Sequence, residues 1–261
     1  MSVSLPVAVN RNEAPRPPAR FGIPFHIHVC VLGTGTVILD VRRDKYLGFG
    51  REESELLADA VVGWPQPLWQ RGICRGADVI AQARNELCES LVADGVLEPI
   101  LKGHGARFVH ALRDMRGEWI SIGDELEVRG RVRLRHGWNF LSAYLWARYS
   151  LARKPFAVVV SEMRVRKLNR VRDLDRYQLR RIAAMVDVFG RLRPFVFAAE
   201  GRCLLHALTL MRFLSKYQLH PEWVIGVTTQ PWGAHSWVQW ENYLLDSNPE
   251  KVCGYTPIMM V

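Results

Sequence analysis

The chain has 261 residues, 49% of them hydrophobic and 23% charged, which excludes a disordered, collagen-like or low-complexity protein over most of its length and suits one large domain or two small ones. Its formal net charge of +9 makes a nucleic-acid or acidic partner the first to weigh. The charge is uneven, however: residues 1–101 carry a net −2, residues 102–200 a net +11, and residues 201–261 none.

Residues 1–20 contain Pro6, Pro15, Pro17 and Pro18 without a sustained apolar run, so they read as a flexible tail and not as a signal peptide. Phe25–Leu32 alternates apolar residues with His26 and His28, Thr36–Val41 is β-branched, and Lys45–Phe49 follows the charged turn Arg43-Asp44. These three runs predict an antiparallel meander. Helical spacing follows over Glu52–Val62 and Asp78–Asp94, with Gly95 as the stop and Val96–Glu98 as a short closing strand. Residues 21–101 therefore read as a small α+β module of the winged-helix kind.

Residues 102–134 are glycine-containing and hold most of the basic run Arg129, Arg131, Arg133 and Arg135, which suits a basic linker docking on a neighbouring domain. A second domain, 135–261, is expected to hold helices at 138–152, 174–192 and 202–217, an extended run at 156–160, and strands near 223–229, 234–240 and 242–246. The most apolar segment, Trp138–Leu151, is broken by Asn139, Ser142 and Arg148, so no membrane span is expected.

Five sparse cysteines with no two-residue spacing argue against a zinc or redox site and fit a reduced, cytoplasmic setting. Cys203 differs from Cys30, Cys74, Cys88 and Cys253 because it opens a helix. Free backbone N–H groups and the positive end of the macrodipole meet it there, the setting that favours a nucleophilic thiolate. Thirty-two residues on, Gly233-Ala234-His235-Ser236-Trp237-Val238 places His235 at the start of a strand. Asp246 follows eleven residues later, past a hairpin tip at Glu241-Asn242, and the hairpin is expected to bring it beside His235. Cys, His and Asp in that order suit a thiol nucleophile, its base and the acid that orients the base. The other histidines, His206 among them, form no metal-ligand pattern, and no metal or cofactor is called for.

The run Gly201–Leu214, with Trp223–Val227 and Pro231–Val238, resembles the transglutaminase-like cysteine protease domain of lasso-peptide maturation, over roughly residues 135–261. Val37–Val41 and Lys45–Phe49 are similar to the PqqD-like precursor-recognition element, over roughly residues 22–100. Together they resemble a fused B protein of lasso-peptide biosynthesis. The resemblance implies an α+β fold with a papain- or transglutaminase-like protease half. It implies Cys203 as nucleophile, His235 as base and Asp246 as orienting acid, with Glu241 and Glu250 the nearest other carboxylates. It also implies that the leader of a ribosomally made precursor adds as a strand to Lys45, Tyr46, Leu47, Gly48 and Phe49, over a groove lined by Leu87 and Leu91. An ATP-dependent, asparagine-synthetase-like cyclase is the implied partner, and the basic run would meet an acidic leader or an acidic face of that cyclase.

Three other readings stand beside this one. The same thiol site serves acyl transfer to an amine. A scaffold without chemistry would not need the Cys–His–Asp order. A winged helix would bind nucleic acid, but Asp78, Glu86, Glu89 and Asp94 on the second helix outweigh Arg84, the reverse of what phosphate contacts require.

Overall fold

The computed structural model describes residues 21–66, 69, 77–100, 119–167, 176–197 and 202–261. The expected tail, Cys74 and most of the expected linker lie outside them.

The meander forms as its sequence predicts. β2 (Ile27–Leu32), β3 (Gly35–Asp40) and β4 (Lys45–Phe49) pair antiparallel in that order, so among the described residues β4 is an edge strand. The turn into β4 is built by Asp40, whose carboxylate accepts the backbone N–H groups of Arg42 (2.9 Å) and Arg43 (3.2 Å). α1 (Arg51–Ala60) begins where Glu53 reaches back to accept the Gly50 N–H at 2.7 Å. α2 (Ala77–Ala93) stops at Gly95, which takes φ 66°. The closing strand β5 falls at Glu98–Pro99, just beyond the expected position, and pairs with β1 (Phe21–Gly22).

Among the described residues the C-terminal sheet has five strands, in the spatial order β10 (Thr256–Met260), β7 (Glu222–Thr229), β8 (Trp232–Trp240), β9 (Tyr243–Leu244) and β6 (Ile120–Ser121). β7, β8 and β9 are the three expected strands. β10 is an unexpected edge strand, and β6 comes from the expected linker and runs parallel to β9. Part of that expected linker thus belongs to the C-terminal sheet. Between them lie α3 (Ile122–Glu125), α4 (Leu134–Arg153), α5 (Phe156–Lys167), α6 (Arg176–Leu192), a 3-10 turn at Arg193–Phe195, α7 (Cys203–Ser215) and α8 (Pro249–Val252).

α5 corrects the extended run expected at 156–160. The Val158-Val159-Val160 run is β-branched, but Val159, Val160 and Met163 share a helical face and are all buried. Burial of that face outweighs the local strand preference. No helix among the described residues is long and apolar enough to cross a membrane.

The two halves share a core. Cys30, Val37, Leu39 and Val41 of the meander belong to the same buried cluster as Leu208 and Phe213 of α7 and Trp223, Ile225 and Val227 of β7. The opposite face of β2 and β3 (Ile27, Val29 and Ile38) packs in a second cluster with Leu57 of α1 and Cys88 of α2.

Candidate active site

Cys203 is the first residue of α7, with Arg202 before it as cap and the His206 N–H closing the first turn on the Arg202 carbonyl at 3.0 Å. The helix is positioned by its buried face, which includes Leu205, Leu208 and Leu210. Cys203 is only partly buried. It faces a cavity of about 380 Å³ that His235 and Asp246 also line, so all three expected residues meet at one place.

His235 sits in β8, opposite Gly226 of β7. Its ring is stacked on Trp237 (centroids 6.1 Å apart, 22°) and tilted against Tyr255 (5.2 Å, 37°). The imidazole is buried, and its Nε2 has no hydrogen-bond partner among the described residues. Burial first, then the Lys251 ammonium, hold His235 below its ordinary value near 6.5, against the opposing pull of Asp246. A neutral ring with a free nitrogen is the form a general base needs.

Asp246 does not make the contact that the hairpin argument expected. Its Oδ1 accepts the Val238 N–H at 2.8 Å, and its Oδ2 accepts the Nδ1–H of His206 at 3.3 Å. The register explains this: Gln239 pairs with Leu244 and Trp240 with Tyr243, and the Leu245 N–H reaches the Val238 carbonyl, so Asp246 comes level with Trp237 and stops short of His235. The nearest other carboxylates in the sequence stand apart from this contact. Glu241 occupies the hairpin turn with φ 56°, and Glu250 lies in α8.

The cavity also holds residues that the sequence did not single out. His206 is one turn along α7 from Cys203, and Arg193 and Lys251 join Arg202, the expected cation beside the thiol, in giving the wall a cationic character. The Cys203-to-His206 spacing of three was the available signal. No group of three or more His, Cys, Asp or Glu side chains suited to a metal occurs among the described residues.

The expected docking strand lies close to this site. Tyr46 of β4 meets Trp232 of β8 edge-on, with centroids 5.6 Å apart. Burial, then Asp44, then Cys203 push the Tyr46 phenol up to about 12. Lys45 and Gly48 are exposed. Leu47, Phe49 and Leu87 are half-buried against the second core cluster. Leu91 is buried within that cluster, so it is a core residue and does not line the expected groove.

No curated protein and no solved structure matches the chain. Residues 141–260 match the family model of the transglutaminase-like superfamily, whose members are cysteine-dependent enzymes. That match supports a thiol-dependent peptidase or acyltransferase. The C-terminal part of this α+β chain is therefore similar to a transglutaminase-like domain.

Proposed function

We propose that the chain is a leader peptidase of lasso-peptide maturation, binding the leader of a ribosomally made precursor on β4 and cutting it from the core at Cys203. The observation that carries this reading is the Tyr46–Trp232 contact, which sets the free edge of β4 beside the strand that bears His235. An extended leader added to that edge runs toward the thiol cavity.

In the proposed reaction His235 takes the Cys203 proton, and the sulfur attacks the scissile carbonyl carbon. The backbone N–H of Cys203 faces the developing oxyanion. The imidazolium then returns the proton to the leaving amine of the core as the C–N bond breaks. Water, deprotonated by His235, hydrolyses the thioester and restores the thiol. Asp246 supplies the negative charge that favours the imidazolium.

The freed core amine passes to an ATP-dependent, asparagine-synthetase-like cyclase. We assign that partner to the exposed face of α4, where Leu134 (90% exposed), Trp138 (74%), Leu145 (54%) and Tyr149 (60%) form a stripe at helical spacing. Exposed Arg129, Arg131, Arg133 and Arg135 stand at its N-terminal end and suit an acidic rim on the partner.

Incubation of the chain with a leader–core precursor, followed by mass spectrometry, tests the reading. Two fragments whose masses sum to the precursor plus one water are expected, and Cys203→Ala abolishes them while retaining leader binding. A product joined to an added amine would assign acyl transfer instead, and full cleavage by Cys203→Ala would remove the thiol mechanism.

A further inference from the structure

The site holds two imidazoles, and the Cys–His–Asp scheme uses one. His206 points its ring into the same cavity as Cys203, from the next turn of the same helix. Phe189 and Phe197 grip that ring edge-on, each with centroids 5.3 Å away. The Asp246 side chain is only 2% exposed, so its lone pairs need protein donors. A carboxylate can only accept, so the 3.3 Å contact requires the proton on His206 Nδ1. The Val238 N–H holds the other oxygen. Among the described residues, His206 Nε2 has no partner, as His235 Nε2 has none.

We infer that His206 is a positioning residue of the thiol site: its Nδ1–H and the Val238 N–H together fix the Asp246 carboxylate in the cavity wall, where its charge acts on the His235 imidazolium. Removing the Nδ1–H leaves a nearly buried carboxylate short of a donor and free to turn from His235. The ring packing between Phe189 and Phe197 gives the helix end its rigidity, and the Nδ1–H gives the carboxylate its direction. The role rests on the reading that Cys203 and His235 do thiol chemistry, but not on which peptide is cut.

Two substitutions separate donor from shape. His206→Phe keeps a ring between Phe189 and Phe197 and loses the donor. His206→Asn places an amide N–H where Nδ1 stands. Two readouts are used: kcat and KM for precursor cleavage, and the rate at which iodoacetamide alkylates Cys203 as a function of pH, which needs no substrate peptide. His206→Phe is expected to lower kcat by about 10- to 100-fold, the loss of one charge-assisted hydrogen bond, with KM unchanged and the alkylation profile shifted. His206→Asn is expected to restore most of both. In an Asp246→Ala background, His206→Phe is expected to cost nothing further, because its effect passes through Asp246.

Equal losses in the Phe and Asn variants, or a full additional loss on top of Asp246→Ala, would overturn the proposal. If His206→Phe does not fold, His206→Gln, which carries its amide at the Nε2 position, takes its place and must be impaired where His206→Asn is not. The two levels fail differently. A wild-type chain that leaves the precursor intact, yet loses its alkylation profile in His206→Phe, refutes the peptidase reading and keeps the positioning role. A wild type that cleaves, with an alkylation profile indifferent to His206, refutes the positioning role alone.

Discussion

Gly226→Ala tests how His235 is held. Gly226 lies opposite His235 in the β7–β8 ladder, and a Cβ there would stand 2.7 Å from both Cη2 and Cζ3 of Trp237 and 3.0 Å from the Tyr255 Cβ. Neither aromatic can retreat freely. Trp237 is fully buried and donates its Nε1–H to Gln239 at 2.8 Å, and both rings flank His235. Overpacking of this kind costs about 1–3 kcal/mol. In a chain of this size each kcal/mol lowers Tm by roughly 2–4 °C, so a fall of roughly 4–8 °C is expected for a cost near the middle of that range. The displaced ring also carries His235 with it, so Cys203 alkylation should slow beyond what the loss of stability explains. Gly233→Ala is the control: its Cβ meets nothing nearer than the Thr228 Cγ2 at 3.5 Å, an ordinary contact. Thermal unfolding and iodoacetamide kinetics on both variants decide the matter. A Gly226→Ala protein with wild-type Tm and alkylation rate would show that the Trp237–His235–Tyr255 stack does not set the position of the base.

Stability should depend on pH through His235. Its folded imidazole titrates below the ordinary value near 6.5, so the unfolded chain takes up the proton first. The stabilising share is whole above about pH 6.5 and is lost as pH falls through the folded value. Urea midpoints measured from pH 7.5 to 5 should therefore fall more steeply for the wild type than for His235→Gln, and equal slopes would refute the assignment. Replacing Trp138 and Leu145 together by Ser should leave cleavage by the isolated chain unchanged and weaken cyclase association by at least about 10-fold, since each buried side chain of this size contributes about 1.5–3 kcal/mol. Sedimentation of the mixed proteins reads this, and unchanged association would move the partner to another face.

The order of the site was legible because each of its parts has a local signature. Gly201-Arg202-Cys203 opens an apolar helix, and Ala234-His235-Ser236-Trp237 alternates as a strand must. What these signatures leave open is register. A hairpin with two residues at its tip puts Asp246 near β8, but only the observed pairing of Trp240 with Tyr243 places it within reach of the Val238 N–H and of His206. β10 escaped for a related reason: Thr256–Met260 contains Pro257 and reads as a strand only once β7 offers its free edge. α5 escaped because three consecutive valines obey the strand rule locally, and the helical face that Val159 and Val160 form with Met163 has meaning only against a core.

The pleat of the meander sets how β4 and the Cys203 cavity are related in space. Val37 and Leu39 face the core around α7 and β7 while Ile38 faces α1 and α2, and the pairing of β3 with β4 carries that alternation across. Leu39 is opposite Tyr46, so Tyr46 falls on the α7 face. Ile38 is opposite Leu47, so Leu47 falls on the helical face. The three-stranded sheet is thus a middle layer, packed on one side by its own helices and on the other by β10 and the cluster around α7. Its edge has a fixed place relative to Cys203, set by packing between sheets. On the proposed reading, a leader added to β4 has its residues assigned alternately to the two faces, and a slip of one residue would exchange them. The site of cleavage is then counted in residues from the docked strand, and the Tyr46–Trp232 contact marks where that count passes from recognition to chemistry.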